Sequence, residues 1–248
     1  MQNTINLTKN TSAYLKIREL FLAFAEFLSP RHCEVCKCLM ANSVNNHEFI
    51  CDKCYDSIQL APPPDLLYNQ ILTKFEDRKL YLTSAYGLLD IKAGNNYLAP
   101  IHSLKYNGLK NIGTELGREL GRIINTYNKV EYSTIVPIPI HHARMRERQY
   151  NQSELIAIGI SEVVNIPVKI DLIKRKRYTH TQTLLSKAER RLNVEDAFSP
   201  FNKASKLHGE AVLVVDDVLT TGSTINACAQ CLLEIGAGRV DAAAIGIA

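Results

Sequence analysis

Residues 212–224, VLVVDDVLTTGST, constrain the fold of this chain more than any other stretch. Val212, Leu213, Val214 and Val215 are four consecutive apolar β-formers, the pattern of a strand buried on both faces of a parallel sheet. Asp216 and Asp217 stand at its carboxyl end, followed by the hydroxyl-rich turn Thr220, Thr221, Gly222, Ser223 and Thr224. Residues 225–235 then read as a helix ended by Gly236 and Gly238, and residues 240–247 as another apolar strand. The unit is therefore β-α-β. In such folds ligands bind beyond the carboxyl ends of the strands, where unpaired N–H groups and the helix dipole favour phosphate.

Two adjacent carboxylates at a buried strand end are unfavourable unless cations or hydroxyl donors face them. A ribose diol or a magnesium ion meets that need. The plainer alternative is that the pair caps a turn and a helix, for which one Asp suffices. Neither a GxxxxGK phosphate loop nor a GxGxxG dinucleotide turn occurs in the chain.

A second constraint comes from cysteine. Cys33, Cys36, Cys51 and Cys54 form two CxxC knuckles across a short polar loop, a spacing that closes one tetrahedral, structural zinc site. Cys38, His32 and His47 are rival ligands that would break the symmetric spacing. The chain has 7 cysteines, an odd number with four in one paired cluster, which favours metal binding in a reducing cytosol over a disulfide framework. Cys228 and Cys231 share the CxxC spacing but fall within an apolar helix, where small core residues are the simpler reading.

The rest of the chain supplies elements around these two features. Residues 14–28 carry apolar positions at helical spacing, stopped by Ser29 and Pro30. Their apolar run is too short and too charged for a secretory segment or a membrane span, so a cytoplasmic protein without membrane attachment is expected. Pro62, Pro63 and Pro64 mark a stiff linker, placing an N-terminal helix and zinc-ribbon domain at 1–60, a linker at 61–79 and a larger domain at 80–248. Residues 80–90 read as a strand and 97–106 as a helix ending in HSLKYNG. Residues 112–127 read as a helix whose Gly113, Gly117 and Gly121 form a seam for close packing onto the sheet. Residues 134–140 form a buried strand that delivers HHARMRERQYNQ, with Arg144, Arg146 and Arg148, to the same sheet edge as the aspartates. A helix at 153–164 and a strand at 168–173 follow. The basic stretch KRKRYTHTQT and a Ser186/Glu189 capping box form a candidate active-site lid, or else a solvated or nucleic-acid-facing patch.

Net charge is +4, which permits an anionic partner without demanding one. The basic stretch has Tyr178 as its one aromatic residue, which leaves little for stacking single-stranded bases.

VVDD followed by TTGST resembles the phosphoribosyl-pyrophosphate (PRPP) motif of type I phosphoribosyltransferases. Together with the four-cysteine ribbon, HSLKYNG, PIPIHHARMRERQYNQ and RKRYTHTQTLLSKAERRLN, it is similar to the ComF/GntX family, phosphoribosyltransferase-like proteins associated with bacterial competence and DNA uptake. The resemblance runs from about Leu28 onward and implies an α/β fold: a type I phosphoribosyltransferase-like parallel sheet flanked by helices, with a small N-terminal zinc ribbon. It implies that Asp216 and Asp217 hold the ribose hydroxyls of PRPP, while Thr220, Thr221, Gly222, Ser223 and Thr224 cradle its 5′-phosphate. Arg144 and Arg148 would face the pyrophosphate with Lys105, and residues 174–193 match a mobile loop. Where the family carries Arg-Gly-Phe ahead of Asn-Gln, this chain has Arg148, Gln149 and Tyr150, which calls a tight glycine turn there into question.

The expected partners are PRPP with magnesium. The rival reading is a non-enzymatic DNA-uptake factor that binds single-stranded DNA or a competence helicase. No residue presents itself as a general base, and no acceptor is specified. An N-terminal nucleophilic cysteine, as a glutamine amidotransferase requires, has no counterpart here, the first Cys being at 33.

Overall fold

The computed structural model describes residues 30–40, 47–75, 78–91, 110–176, 197–202 and 206–248. The chain forms two compact units, Met1–Asp56 and Ser57–Ala248. The expected helices at 14–28 and 97–106, Lys105, and residues 177–193 of the expected lid lie outside the described residues.

In the first unit the chain doubles back within 31–40. His32 and Leu39 form an antiparallel bridge, the Met40 N–H donates to the Arg31 carbonyl at 2.8 Å, and Lys37 makes the turn at φ 58°. A short helix, α1 (Asp52–Asp56), carries Cys54.

The second unit is built on four parallel strands in the order β1-β6-β5-β2: β1 (Ala85–Asp90), β2 (Tyr132–Pro137), β5 (Ala211–Leu219) and β6 (Arg239–Ile247). A separate antiparallel pair joins β3 (Ile173–Arg175) to β4 (Phe198–Pro200). Val212 to Val215 have no exposure, as a doubly covered central strand demands. Val212 and Val214 face a core closed by Leu67, Ile71, Phe198 and Cys228. Leu213 and Val215 alternate onto the other face, where α5 (Gln152–Val164) and α3 (Lys110–Tyr127) pack. The result is the expected α/β sandwich of a parallel sheet between helices.

Three details differ from the sequence reading. The segment at 61–79 carries helix α2 (Pro64–Thr73), with Leu67 and Ile71 each 1% exposed in the core. Pro64 sits at its first turn, where a missing N–H is harmless. The glycine seam of α3 faces α5 rather than the sheet. A Cβ on Gly117 would lie 2.3 Å from the Ile156 carbonyl oxygen, and one on Gly159 2.1 Å from that of Thr114. Finally, the strand expected at 168–173 shrinks to one parallel bridge between Val168 and Ile135, because the chain bends at 170–172 to start β3.

Sheet β6 also holds a fully buried carboxylate. The Tyr132 hydroxyl donates to Asp241 Oδ2 at 2.6 Å, Arg239 Nε approaches both carboxylate oxygens at 3.0–3.1 Å, and the Tyr86 and Tyr132 hydroxyls are 3.3 Å apart. Burial first, and Asp241 second, push the Tyr132 hydroxyl pKa far up. This network occupies the amino end of the sheet, opposite the aspartate pair. Cys228 and Cys231, inside the last helix, are 0% and 4% exposed and belong to the core. Burial pushes the Cys228 thiol well above the ordinary range, which suits an inert packing group.

Among the described residues no helix is long and apolar enough to cross a membrane.

Candidate functional site

The carboxyl end of β5 runs into a loop and then helix α6 (Ser223–Glu234). Asp216, Val218, Leu219 and the run Thr220–Thr224 line one open hollow of about 250 Å³, counted with the solvent at its mouth. Gly222 caps α6 at φ 75°, a left-handed conformation that L side chains rarely adopt, and a Cβ there would come within 3.3 Å of Ile71 and Phe75. Both conformation and space call for glycine. The Thr221 hydroxyl accepts from the Ser223 N–H at 3.3 Å and lies 3.1 Å from the Ser223 hydroxyl, so side-chain oxygens close the first turn of the helix.

Asp216 is held from two sides. Its Oδ1 accepts from the Asp217 N–H at 2.9 Å and from the Ser153 hydroxyl at 3.2 Å. Ser153 belongs to the first turn of α5, which Asn151 caps by accepting from the Ser153 N–H and anchors by donating to the Ile138 carbonyl. Asp217, the next residue along the strand, alternates away from Asp216 and does not line the hollow. Both carboxylates are half-buried.

The arginine segment follows β2 as helix α4 (His142–Arg148), with the His141 ring accepting from the Ala143 N–H at 3.2 Å. The helix ends at Gln149, which adopts φ 63° and returns its N–H to the Met145 carbonyl. The tight left-handed turn therefore forms with glutamine in place of glycine. Arg148 reaches Gln152 Oε1 at 3.2 Å, and the Gln152 amide nitrogen is buried without a hydrogen-bond partner among the described residues.

Arg175 is a residue whose place the sequence did not reveal. In sequence it belongs to the basic stretch that reads as a lid or a solvated or nucleic-acid-facing patch, yet it is half-buried on β3 with its guanidinium 5.4 Å from the Phe198 ring centre. Burial first and Arg144 second draw its pKa down, while Cys228 and Asp216 act in the opposite direction. The same guanidinium helps lower the His141 pKa, behind burial and His142. Arg175, Arg144, His141 and Asp216 thus share one electrostatic neighbourhood at the carboxyl edge of the sheet. Ser153 was missed because a mid-sequence serine in a helix start carries no signal of what lies opposite it.

In the first unit, the sulfur atoms of Cys33, Cys36, Cys51 and Cys54 all lie within 4.8 Å of one another, so this set could hold one metal ion. The Cys36–Cys51 separation is 3.8 Å. Metal–sulfur bonds of about 2.3 Å in a tetrahedron require edges of about 3.8 Å, which the Cys36–Cys51 edge meets. The Cys51 N–H donates to the Cys33 sulfur at 3.4 Å, an orienting contact for a thiolate ligand. Hydrogen bonds from the Cys38 backbone and thiol, then from Cys54, draw the Cys36 thiol down to about 6. Cys38 itself is exposed and outside the set, and the His47 ring stacks on Tyr55 at 3.7 Å.

Residues 151–245 match the family described as the phosphoribosyl transferase domain. Over 106 residues the chain is 37% identical to competence protein F of Haemophilus influenzae, covering 43% of this chain and 46% of that protein. It is 34% identical over 116 residues to competence protein ComFC of Bacillus subtilis, covering 45% of this chain and 44% of that protein. To the DNA utilization protein YhgH of Escherichia coli K12 it is 33% identical over 144 residues, covering 56% of this chain and 62% of that protein. The chain thus spans about half the length of the curated relatives it matches. The domain match covers β5 and its loop, so this part of the chain is similar to the phosphoribosyl transferase domain, and the chain is similar over about half its length to competence and DNA utilization proteins.

Proposed function

We propose that this chain binds PRPP in the hollow at the end of β5 and serves competence and DNA uptake as a phosphoribosyltransferase-like protein. The observation that carries the reading is the convergence of Asp216 and the run Thr220–Thr224 on one open hollow where a buried parallel strand meets a helix N-terminus. Asp216, which lines the hollow, would accept hydrogen bonds from the ribose hydroxyls, and Asp217, which does not line it, would join only by turning toward the bound sugar. Thr220, Thr221, Gly222, Ser223 and Thr224 would donate N–H and O–H groups to the 5′-phosphate, helped by the dipole of α6. Arg144, Arg148 and Lys105 would face the pyrophosphate.

If the site transfers, the bond between the anomeric carbon and the pyrophosphate oxygen breaks, the pyrophosphate leaves with the electron pair, and an acceptor nucleophile bonds to the carbon. The arginines would neutralise the leaving charge, and Asp216 would steady the ribose as positive charge develops on the ring. Magnesium bound with PRPP would add charge neutralisation at the pyrophosphate. The four cysteines would hold a structural zinc, and a four-thiolate metal site suits a reducing cytoplasm.

Calorimetry with PRPP and magnesium tests the reading. Wild type should release heat that the double substitution Asp216→Ala with Asp217→Ala abolishes; equal heats would refute the assignment.

A second reading, a DNA-uptake factor that engages single-stranded DNA or a helicase without catalysis, is favoured by the exposure of Lys174 on β3 and of Lys176 just after it, and by the names of the relatives. It requires that binding to a single strand weaken steeply with salt and on neutralising those lysines.

A further inference from the structure

Helix α2 reaches the hollow from behind. Its C-terminal cap is Lys74, which is exposed, yet its ammonium does not simply project into water. Nζ donates to the Thr220 carbonyl at 2.6 Å and to the Ala248 backbone oxygen at 3.1 Å. Ala248 in turn donates its N–H to the Leu219 carbonyl at 2.9 Å. The lysine therefore ties Thr220, the first of the hydroxyl-rich run, to Ala248, which itself bonds the last residue of β5. Neighbouring residues of the same segment back the loop, since Ile71 and Phe75 would lie 3.3 Å from a Cβ on Gly222. Asn226 of α6 clamps the chain just beyond, accepting from the Tyr81 N–H at 2.7 Å and donating to the Lys79 carbonyl at 3.1 Å.

In a trans peptide the carbonyl and the following N–H point in opposite directions, and no cis peptide occurs among the described residues. Fixing the Thr220 carbonyl on Lys74 therefore turns the Thr221 N–H to the opposite side. Thr221 lines the hollow. A loop of this kind, left to itself, can flip that peptide and present a carbonyl oxygen to an anion; a charge-assisted hydrogen bond from behind opposes the flip. The ammonium also adds one positive charge next to the loop, acting in the same direction as the dipole of α6.

From this geometry we infer that Lys74 is a positioning residue for phosphoester recognition, holding the Thr220 peptide so that the loop offers donors to a sugar 5-phosphate. The inference deepens the PRPP reading and rests on it. It assigns the α2 segment a part in ligand binding through the loop, with no contact of its own to the ligand.

The test compares wild type, Lys74→Met and Lys74→Arg by calorimetry with ribose 5-phosphate and, separately, with magnesium pyrophosphate, which would bind away from the loop. Lys74→Met should weaken ribose 5-phosphate by about tenfold, the worth of one charge-assisted hydrogen bond, and leave pyrophosphate unchanged. Lys74→Arg, which keeps the charge and donors, should stay within about threefold of wild type and remains informative if the methionine variant does not fold. Unchanged ribose 5-phosphate binding in Lys74→Met would overturn the role of Lys74 while leaving the PRPP reading intact. Equal loss of both ligands would also overturn it, by marking Lys74 as a general stability contact. A wild type that binds neither PRPP nor ribose 5-phosphate would sink the site assignment itself, and this inference with it.

Discussion

The contact between α3 and α5 gives a sharp test of how the site is supported. Replacing Gly159 with Ala adds one methyl group, whose carbon would sit 2.1 Å from the Thr114 carbonyl oxygen and 2.9 Å from the Arg118 nitrogen. Ordinary contact begins near 3.4 Å, so the helices must part by more than 1 Å. The obstacle is backbone on both counts, and no rotamer change relieves it. Separation would loosen Ile112, Leu116, Leu120, Ile156 and Ile160, all 0–2% exposed. Overpacking of this kind costs about 1–3 kcal/mol, and the backbone obstacle puts this case at or above the upper end. Alanine recovers about 1 kcal/mol through its better helix propensity. The net expectation is a loss of about 2 kcal/mol, or roughly 4–8 °C in melting temperature for a chain of this size. Urea denaturation followed by circular dichroism should show a lower midpoint with an unchanged slope. Gly121→Ala, which meets the Val163 side chain at 3.0 Å and nearby backbone at 3.3 Å, should cost less. Because α5 also presents Ser153 to Asp216, PRPP affinity should fall alongside stability in Gly159→Ala. If this variant is as stable as wild type, the helices do not meet through their backbones and the support assigned to Ser153 is wrong.

Two further expectations are independent of PRPP. Gln149→Gly should raise stability by about 0.5–1 kcal/mol, since glycine takes the left-handed turn at φ 63° without the Cβ penalty; a lower melting temperature would show that the glutamine side chain matters more than its backbone. The four-cysteine set should bind one cobalt ion with tetrahedral thiolate absorption, and Cys51→Ser should weaken that binding at least tenfold; an octahedral spectrum would rule out the four-thiolate site.

How much of this was legible in the sequence depends on whether the signal was local. Val212 to Val215 announced a central strand because burial on both faces leaves no polar position, and the strand is fully buried. The CxxC pairs announced a four-sulfur cluster because knuckle spacing is itself geometry. The glycines of α3 announced a close approach but not its partner: Gly159, which completes the contact, lies on another helix. Three prolines disguised α2 as a linker, although Leu67 and Ile71 stand four apart on one helical face. Asp241 gave no sign of burial, because the hydroxyl that meets it, from Tyr132, comes from a strand more than a hundred residues earlier in the chain. The places of Lys74 and Arg175 carry no local signal for the same reason, being set by groups far away in the chain.

The outer strands of the sheet are already spoken for. Beyond β1, the Ala61 and Asp90 N–H groups exchange bonds with the Leu88 and Gln59 carbonyls; beyond β2, Ile135 is bracketed by the Pro167 carbonyl and the Lys169 N–H. A partner therefore cannot zip a strand of its own onto the middle of either flank. A partner that docks at either flank of this sheet must therefore recognise it through side chains, so its docking should tolerate changes of backbone register and respond to point substitutions of charge.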